Sequence, residues 1–290
     1  MQVFPRMNAQ LSAYSYLVSL FPKKIIDDLG LGLQLRSRKT ASWTPAFERG
    51  CYRELLLRNG DPEFNRIAFQ ELTGSEDDYR GYLRLQEMQE QLASVVWPSL
   101  TDPLVSRKQL RDRLDRKAED AWNALIEEPI GNAIEQLMSD DLIRGSVFTD
   151  GRIGVSTYPQ DLSLIQNRCY LYHVIGQGTG EWKVPVGGMG ALVDNLVSVA
   201  QKSGRVTFAT RSNVLGIDLG KDRTSITFDL DGTTHGVDAR FVLCNASRQV
   251  LGSILDEALT DEGEIEGAGF KMNLLLKRLP KLRSKRLHDI

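Results

Sequence analysis

The chain has 290 residues, of which 41% are hydrophobic and 26% are charged, and its formal net charge at pH 7 is −2. This length allows one large domain or two ordinary ones, and the apolar fraction is sufficient for a substantial core. The balanced charge excludes the strongly basic composition of many nucleic-acid-binding proteins, so we expect no nucleic-acid partner.

The cysteines Cys51, Cys169 and Cys244 are far apart in the sequence and form no metal-binding or redox pair. No cluster of His, Cys and Asp has the spacing of metal ligands, so we expect no metal site. The sequence shows no signal-peptide pattern and no apolar run of about 18 residues. We therefore expect a cytoplasmic protein, with peripheral membrane contact left open as an alternative.

The first 60 or so positions of the chain show only short patterns. Residues 1–10 offer no strand, turn or cap. The apolar spacing of residues 25–29 predicts a short helix that ends at Gly30, a residue type common after a helix. Alternating apolar and polar residues predict two short strands, Leu31–Leu35 and Arg36–Trp43.

Residues 75–138 are predicted to be helical. Apolar residues recur there at three- and four-residue steps in three segments, which begin near Ser75, Ser106 and Pro129. The charges of Arg107–Asp120 have mixed signs, so we interpret them as the solvated face of the second helix rather than as a binding surface.

Strand-like segments dominate the rest of the chain. They are rich in β-branched and aromatic residues or alternate in polarity, and Asp231-Gly232 is a hairpin-turn signal. The predicted strands are Cys169–Ile175, Arg205–Ala209, Val214–Leu219, Thr224–Leu230, His235–Asp238, Phe241–Cys244 and Lys271–Leu276. Helices and strands together indicate a mixed α+β fold.

Two glycine-rich segments lead into different local patterns. Gly176–Gly180 starts like a dinucleotide fingerprint, but its third glycine would fall at Glu181 and no helix pattern comes after it, so we reject it. Gly187–Gly190 leads into a predicted helix, Met189–Ser203. Such a turn allows a ligand to approach the backbone, and a helix N-terminus suits a phosphate, although a tight turn without a ligand also accounts for this pattern.

A series of motifs occurs in collinear order between Leu11 and Pro280. They are Tyr16–Pro22, Asp28–Leu33, Leu72–Ser75, Trp97–Pro98, Leu142–Gly145, Tyr172–Gly176, Trp182–Asn195, Phe270–Asn273 and Arg278–Pro280. In this order the chain resembles the phytoene desaturase-like and amine-oxidase-like FAD-dependent oxidoreductases. It is most similar to their branch related to the pyridine nucleotide-disulfide oxidoreductase domain-containing proteins.

The resemblance implies an FAD-binding domain that is interrupted by a substrate domain of helices and mixed sheet. It makes residues 1–183 a substrate-domain-like region with the helical insert, residues 184–250 a partial FAD-binding domain, and residues 251–290 a return to the substrate domain. The positions that match FAD-proximal sites of the family are Gly187, Gly188, Val214, Asn245 and Ala246.

The resemblance also implies missing parts, because the family's N-terminal Gly-x-Gly-x-x-Gly unit and C-terminal flavin segment have no counterpart here. We therefore expect an interior portion of a larger enzyme, arising from a truncated gene, a split subunit or a cloned fragment. Such a chain would bind FAD weakly or not at all by itself. Because its sheet would be cut at both ends, we expect self-association or a complementary chain as partner.

The implied activity is oxidation of a C–C or C–N bond of an apolar small-molecule substrate by hydride transfer to flavin. The alternative is a non-catalytic remnant or apolar-ligand-binding module without FAD. His173 is the candidate for proton transfer, with a hydrogen-bonded structural histidine as the competing interpretation. The tryptophans Trp43, Trp97, Trp122 and Trp182 are candidates for a substrate groove, although core packing is the expected role of at least three of them.

Overall fold

The fold is a mixture of helices and small antiparallel sheets, as the computed structural model shows for residues 2–4, 9–12, 15–116, 118–257, 269–278 and 281. Helices account for 44% and strands for 18%, which confirms the α+β fold class. The chain divides into two compact units: unit 1 comprises residues 1–199 and 267–290, and unit 2 comprises residues 200–266. The division into substrate and FAD-binding regions stays a prediction.

The strands of the described residues are β1 (Gln2–Phe4), β2 (Ala9–Leu11), β3 (Leu35–Arg36), β4 (Thr40–Glu48), β5 (Cys51–Arg58), β6 (Val184–Pro185), β7 (Ser212–Leu219), β8 (Thr224–Leu230) and β9 (Thr233–Ala239). They form four antiparallel sheets, in which β1 pairs with β2, β3 with β6, and β4 with β5, while β8 lies between β7 and β9.

The α-helices of the described residues are α1 (Lys23–Asp28), α2 (Pro62–Thr73), α3 (Asp77–Val96), α4 (Arg107–Arg111), α5 (Ala118–Trp122), α6 (Ile130–Leu137), α7 (Asp141–Arg152), α8 (Ile165–Val174), α9 (Met189–Lys202) and α10 (Arg248–Ile254). Two 3₁₀ turns, Trp97–Leu100 and Gly176–Gly178, and a π-helical turn, Asn123–Glu127, complete the regular structure.

The β4–β5 hairpin packs against the helices of unit 1. Its turn places Arg49 and Gly50 at φ angles of 51° and 80°, a left-handed conformation that glycine adopts without strain. Leu55 and Leu57 lie on one face of β5 and join the main hydrophobic core, while Leu56 on the other face is also buried. The hairpin is therefore covered on both sides along β5.

The main core lies among the helices α2, α3, α5, α6, α7 and α8. Phe69 of α2 is fully buried, and its ring centroid lies 5.3 Å from that of Tyr79 and 5.2 Å from that of Tyr82 on α3. The packing of α3 on α6 is so close that a Cβ atom at Gly81 would lie 1.7 Å from the carbonyl oxygen of Leu137. Glycine at this position is therefore what allows the two helices to touch.

A buried carboxylate joins α3 to the connection between α6 and α7. Asp78 is 3% exposed and accepts hydrogen bonds from the backbone N–H groups of Ser139 and Asp140 and from the Ser139 hydroxyl. Asp140 in turn caps α7 by accepting from the N–H of Leu142 at 2.9 Å, and it pairs with Arg53 of β5. This network fixes the start of α7, a helix that lines a cavity of the unit.

Unit 2 contains the three-stranded meander β7–β8–β9. Asp231 and Gly232 have φ angles of 52° and 84°, which confirms the predicted hairpin turn. The helix α10 approaches β7, since the carbonyl oxygen of Ile254 lies 4.0 Å from the position of a Cβ atom at Gly216. The predicted helix after Gly187–Gly190 is also confirmed, as α9.

One predicted strand is wrong because the burial pattern has a helical period. Residues 169–175 belong mainly to α8, whose buried residues are Gln166, Asn167, Cys169 and Tyr170. This spacing follows one face of a helix and not the alternation of a strand. The helical region accordingly runs from Pro62 to Val174, beyond the predicted 75–138, and its predicted second helix is broken into α4, α5 and a π-helical turn.

Other predicted strands find no strand partner among the residues that the structure describes. The segments 205–209, 241–244 and 271–276 are irregular, and Phe241 and Leu243 are 84% and 98% exposed. Apolar content alone does not form a strand, because the ladder hydrogen bonds need a neighbour. Conversely, residues 1–10 do contain strand residues, in β1 and β2.

Candidate functional site

A cavity of about 480 Å³ lies within unit 1, and its volume is within the usual range for small-molecule sites. Its walls are the β4–β5 hairpin, the helices α3, α7 and α8, and the loop 179–182. Aromatic side chains form much of the lining, namely Tyr16, Trp43, Phe69, Tyr82, Tyr170 and Trp182. Charged and amide side chains contribute as well, namely Arg38, Asn59, Gln86, Gln89, Asp150 and Glu181.

His173 lines this cavity from the last turn of α8, and not from the strand that the sequence predicted. Its Nδ1 atom lies 2.7 Å from the carbonyl oxygen of Cys169 and 3.0 Å from that of Asp150. Because both neighbours are acceptors, Nδ1 carries the proton, and Nε2 of the neutral ring is left as a lone-pair acceptor. The geometry thus accommodates both interpretations of His173, and its role in proton transfer stays a prediction.

The loop after α8 contacts His173 through Trp182. Trp182 donates from Nε1 to the backbone carbonyl oxygen of His173 at 2.9 Å, and the two ring centroids are 5.5 Å apart. The loop needs Gly180, because a Cβ atom there would lie 2.3 Å from the carbonyl oxygen of Val174. Trp182 and Trp43 therefore line the cavity, whereas Trp122 is a core residue at 2% exposure.

Asp150 is the acidic residue beside His173 that the sequence analysis missed. It lies on the face of α7 that also presents Ser146 and Val147 to the cavity, at a spacing of three or four residues, and the C-cap residue Ile153 lines the cavity next. Burial raises the pKa of Asp150, and the neighbouring His173 partly offsets this rise. A helical interpretation of residues 142–153 would have revealed this face.

Two tyrosines in the cavity wall are held neutral. Burial raises the pKa of Tyr82 to about 12, with a further contribution from the charge of Asp150. The same two causes raise the pKa of Tyr170 well above its ordinary value. Gln86 donates to the Tyr82 hydroxyl at 3.0 Å, and Gln89 donates to the Tyr170 hydroxyl. Both hydroxyls therefore keep their protons at neutral pH as hydrogen-bond donors.

A second cavity of about 250 Å³ lies next to the first. Ala41, Leu57, Asn59, Tyr82 and Gln86 line both cavities. The two spaces therefore share one wall made of the hairpin and α3.

The residues that the resemblance placed near FAD fall in both units. Gly187 and Gly188 lie together in the turn before α9, at φ angles of 87° and 76°. In unit 2, Val214 lies on β7 beside a β-bulge, and Asn245 and Ala246 are exposed residues of an irregular segment. Their roles in FAD binding stay predictions.

The structure offers little for metal binding or for crossing a membrane. Within the described ranges, no group of three or more His, Cys, Asp and Glu side chains could hold a metal ion. Cys51, Cys169 and Cys244 are all unpaired thiols, of which Cys169 is buried. Burial also raises the pKa of the Cys169 thiol. For the same part of the chain, the helices are too short or too polar to cross a bilayer.

Comparison with known proteins gives relatives of about twice the length. No family model matches the chain. It is 36% identical over 287 residues to the uncharacterized protein Rv0897c of Mycobacterium tuberculosis and to the uncharacterized protein Mb0921c of Mycobacterium bovis, covering 97% of this chain and 52% of each relative. It is 29% identical over 273 residues to pyridine nucleotide-disulfide oxidoreductase domain-containing protein 2 of Mus musculus, covering 83% of this chain and 45% of that protein. The chain thus spans about half the length of the curated relatives it matches, and its similarity to the mouse protein supports the resemblance to oxidoreductases.

Proposed function

We propose that this chain is the substrate-binding portion of an FAD-dependent oxidoreductase that oxidises a C–C or C–N bond of a small organic substrate. The observation that carries the proposal is the cavity of about 480 Å³, built by a chain similar over 83% of its length to a protein named for an oxidoreductase domain. Its aromatic walls and hydrogen-bonding groups suit a substrate with an apolar body and a polar end.

We expect the turn before α9 to contact part of an FAD molecule. Gly187 and Gly188 adopt left-handed backbone conformations, and no heavy atom lies within 4 Å of the position of a Cβ atom at Gly188. The backbone is therefore open on this side, directly before a helix of 14 residues. The N–H groups of Gly188 and Ala191 donate to the carbonyl oxygens of Pro185 and Gly188, so among the described residues those of Met189 and Gly190 are left at the helix start for a ligand. We expect these two glycines to hold a phosphate of FAD.

The candidate positions in unit 2 would contact FAD through their backbone groups. Val214 lies on β7, which is at one edge of the three-stranded sheet, so some of its N–H and C=O groups are not used by the strands of the described residues. We expect Val214 to contact the adenine and Asn245 and Ala246 to lie near the dinucleotide. When bound, the flavin would supply the hydride acceptor.

The chain's own residues would bind the substrate and accept one proton from it. The rings of Trp43 and Trp182 exclude water from the cavity, and the hydroxyls of Tyr82 and Tyr170 donate hydrogen bonds to the polar end of the substrate. Nε2 of His173 accepts a proton from the substrate, since Nδ1 is already occupied by two backbone carbonyl groups.

Titration of the full chain with FAD, followed by flavin fluorescence, tests the proposal. We expect weak but saturable binding, which Gly188→Asp weakens at least about fivefold by placing a negative charge where the phosphate would lie. Gly154→Asp is the matched control, because Gly154 also has a positive φ angle and open space around its Cβ position. No saturable binding, or equal loss in both variants, would favour the alternative of an apolar-ligand-binding module without FAD.

A further inference from the structure

Arg38 is a cation in the cavity wall that forms no ion pair with any residue the structure describes. It lies between β3 and β4, and its backbone carbonyl oxygen accepts a hydrogen bond from Asn59 at 2.7 Å, which ties this segment to the end of β5. With the described residues its guanidinium makes one long hydrogen bond, from Nη2 to the carbonyl oxygen of Ala41 at 3.4 Å. Its Nε atom is buried and has no hydrogen-bond partner in the described part of the chain.

Several other arginines of the same unit are paired, whereas Arg36, Arg152 and Arg168, which form no ion pair among the described residues, are exposed. Arg53 contacts Glu48 and Asp140, and Arg66 contacts Glu63 and Glu76. Arg58 also has a buried Nε without a partner, but its guanidinium lies 3.7 Å from Asp61 and 3.8 Å from the centroid of the Phe64 ring. Arg38 takes part in none of the ion pairs formed by the described residues. A partly buried guanidinium without a counter-ion is unfavourable, and a bound anion would relieve this cost.

The surroundings of Arg38 indicate which anion fits. Of the side chains that line the cavity, as far as the structure describes them, Arg38 is the one Lys or Arg. Phosphate groups are usually bound by several donors or cations, whereas a single guanidinium matches the planar fork of one carboxylate. The acids of the cavity are not paired with Arg38: Glu181 pairs with Lys183 at 3.5 Å, and Asp150 lies beside His173 and forms no ion pair among the described residues.

We propose that Arg38 binds the carboxylate of a monocarboxylate ligand whose apolar body lies among the aromatic side chains of the cavity. This inference rests on the proposed function in one respect, that the cavity is the substrate site, and it names the substrate class. It gives Arg38 a part in selecting the substrate, by orienting the ligand through its charged end.

Calorimetric titration of the full chain with phenylacetate and with the neutral isostere phenylacetamide tests this proposal without flavin. We expect phenylacetate to bind at least about tenfold more tightly, because a charge-assisted bidentate contact is lost in the amide. Arg38→Gln should weaken phenylacetate binding about tenfold and phenylacetamide binding less than about twofold. Arg36→Gln, which changes an exposed arginine of β3, should leave both unchanged.

A second variant guards against a folding defect. Arg38→Lys keeps the charge but loses the planar fork, so it should bind phenylacetate with intermediate affinity while its thermal unfolding stays like that of the parent chain. Equal binding of acid and amide, binding of neither up to about 10 mM, or an unchanged affinity in both Arg38 variants would overturn the proposal. Failure of FAD to bind would contradict the proposed function and leave this result intact.

Discussion

Asp78 accepts hydrogen bonds from both the backbone N–H and the hydroxyl of Ser139, although 61 positions separate them in the sequence. The carboxylate is almost fully buried and also accepts from the N–H of Asp140. Asp78 of α3 therefore satisfies the hydrogen-bond donors of the connection between α6 and α7. The position at which α7 begins depends on this carboxylate.

Asp78→Ala should lower the free energy of unfolding by about 3 kcal/mol, because it leaves buried donors without acceptors. Asp77→Ala is the control, since the neighbouring side chain is 74% exposed, and it should cost less than about 1 kcal/mol. Denaturant-induced unfolding followed by circular dichroism measures both. If both variants lost the same free energy of unfolding, the hydrogen bonds of Asp78 would contribute no more than any acidic side chain in the first turn of α3.

Replacing Gly81 of α3 and Gly145 of α7 by alanine should change the stability of the protein in opposite directions. Gly81→Ala should destabilise the protein by at least about 2 kcal/mol, because the new Cβ atom would overlap the carbonyl oxygen of Leu137. Gly145→Ala should stabilise it by about 0.5–1 kcal/mol, because the position within α7 is open and alanine has the better helix propensity. Thermal unfolding of the pair is the measurement, and a stabilised Gly81→Ala variant would contradict the packing of α3 on α6.

Asp150 should make stability depend on pH. Burial raises the pKa of Asp150 in the folded state, so the folded protein holds this proton to higher pH than the unfolded chain does. The contribution to stability is present below the ordinary aspartate pKa and is lost as the pH rises through the raised folded-state value. Asp150→Asn should therefore stabilise the protein at neutral pH and have little effect at about pH 3.5.

Unfolding titrations at several pH values test this sign. Asp141→Asn is the contrasting variant, because this side chain is 90% exposed in the first turn of α7, where a negative charge is favourable. It should lower stability slightly at neutral pH, the opposite of Asp150→Asn. A stabilisation by Asp150→Asn that does not change with pH would contradict the buried-charge interpretation.

The His173 tautomer can be observed directly. Because Nδ1 faces the carbonyl oxygens of Cys169 and Asp150, the neutral ring should carry its proton on Nδ1. The nitrogen chemical shifts of 15N-histidine-labelled protein at high pH distinguish the two tautomers, and His173→Asn assigns the signal among the three histidines of the chain. A dominant Nε2–H form would exclude Nε2 as the proton acceptor.

Sequence patterns correctly predicted those elements that are determined by residues close together in the chain. The helix after Gly187–Gly190 and the turn at Asp231-Gly232 depend on apolar spacing and on residues that favour a positive φ angle, and both were confirmed. The prediction for residues 169–175 was wrong because tyrosine, valine and isoleucine suit strands, whereas packing against α7 stabilises a helix here.

The candidate site was less accessible to sequence analysis because its residues meet only in three dimensions. His173 was identified as a single candidate, but Asp150 and Arg38 lie 23 and 135 positions away from it. They line the same cavity only when α7, α8 and the segment between β3 and β4 pack around it. No short motif links these residues. The unpaired charge of Arg38 is a property of the packed structure, since its sequence neighbours give no sign of it.

All residues that line the 480 Å³ cavity belong to unit 1. New ligand preferences can therefore arise from changes in one unit while residues 200–257 keep their sequence. A mutant library confined to the β4–β5 hairpin and to the cavity-facing positions of α7 and α8 would retune ligand choice with few substitutions.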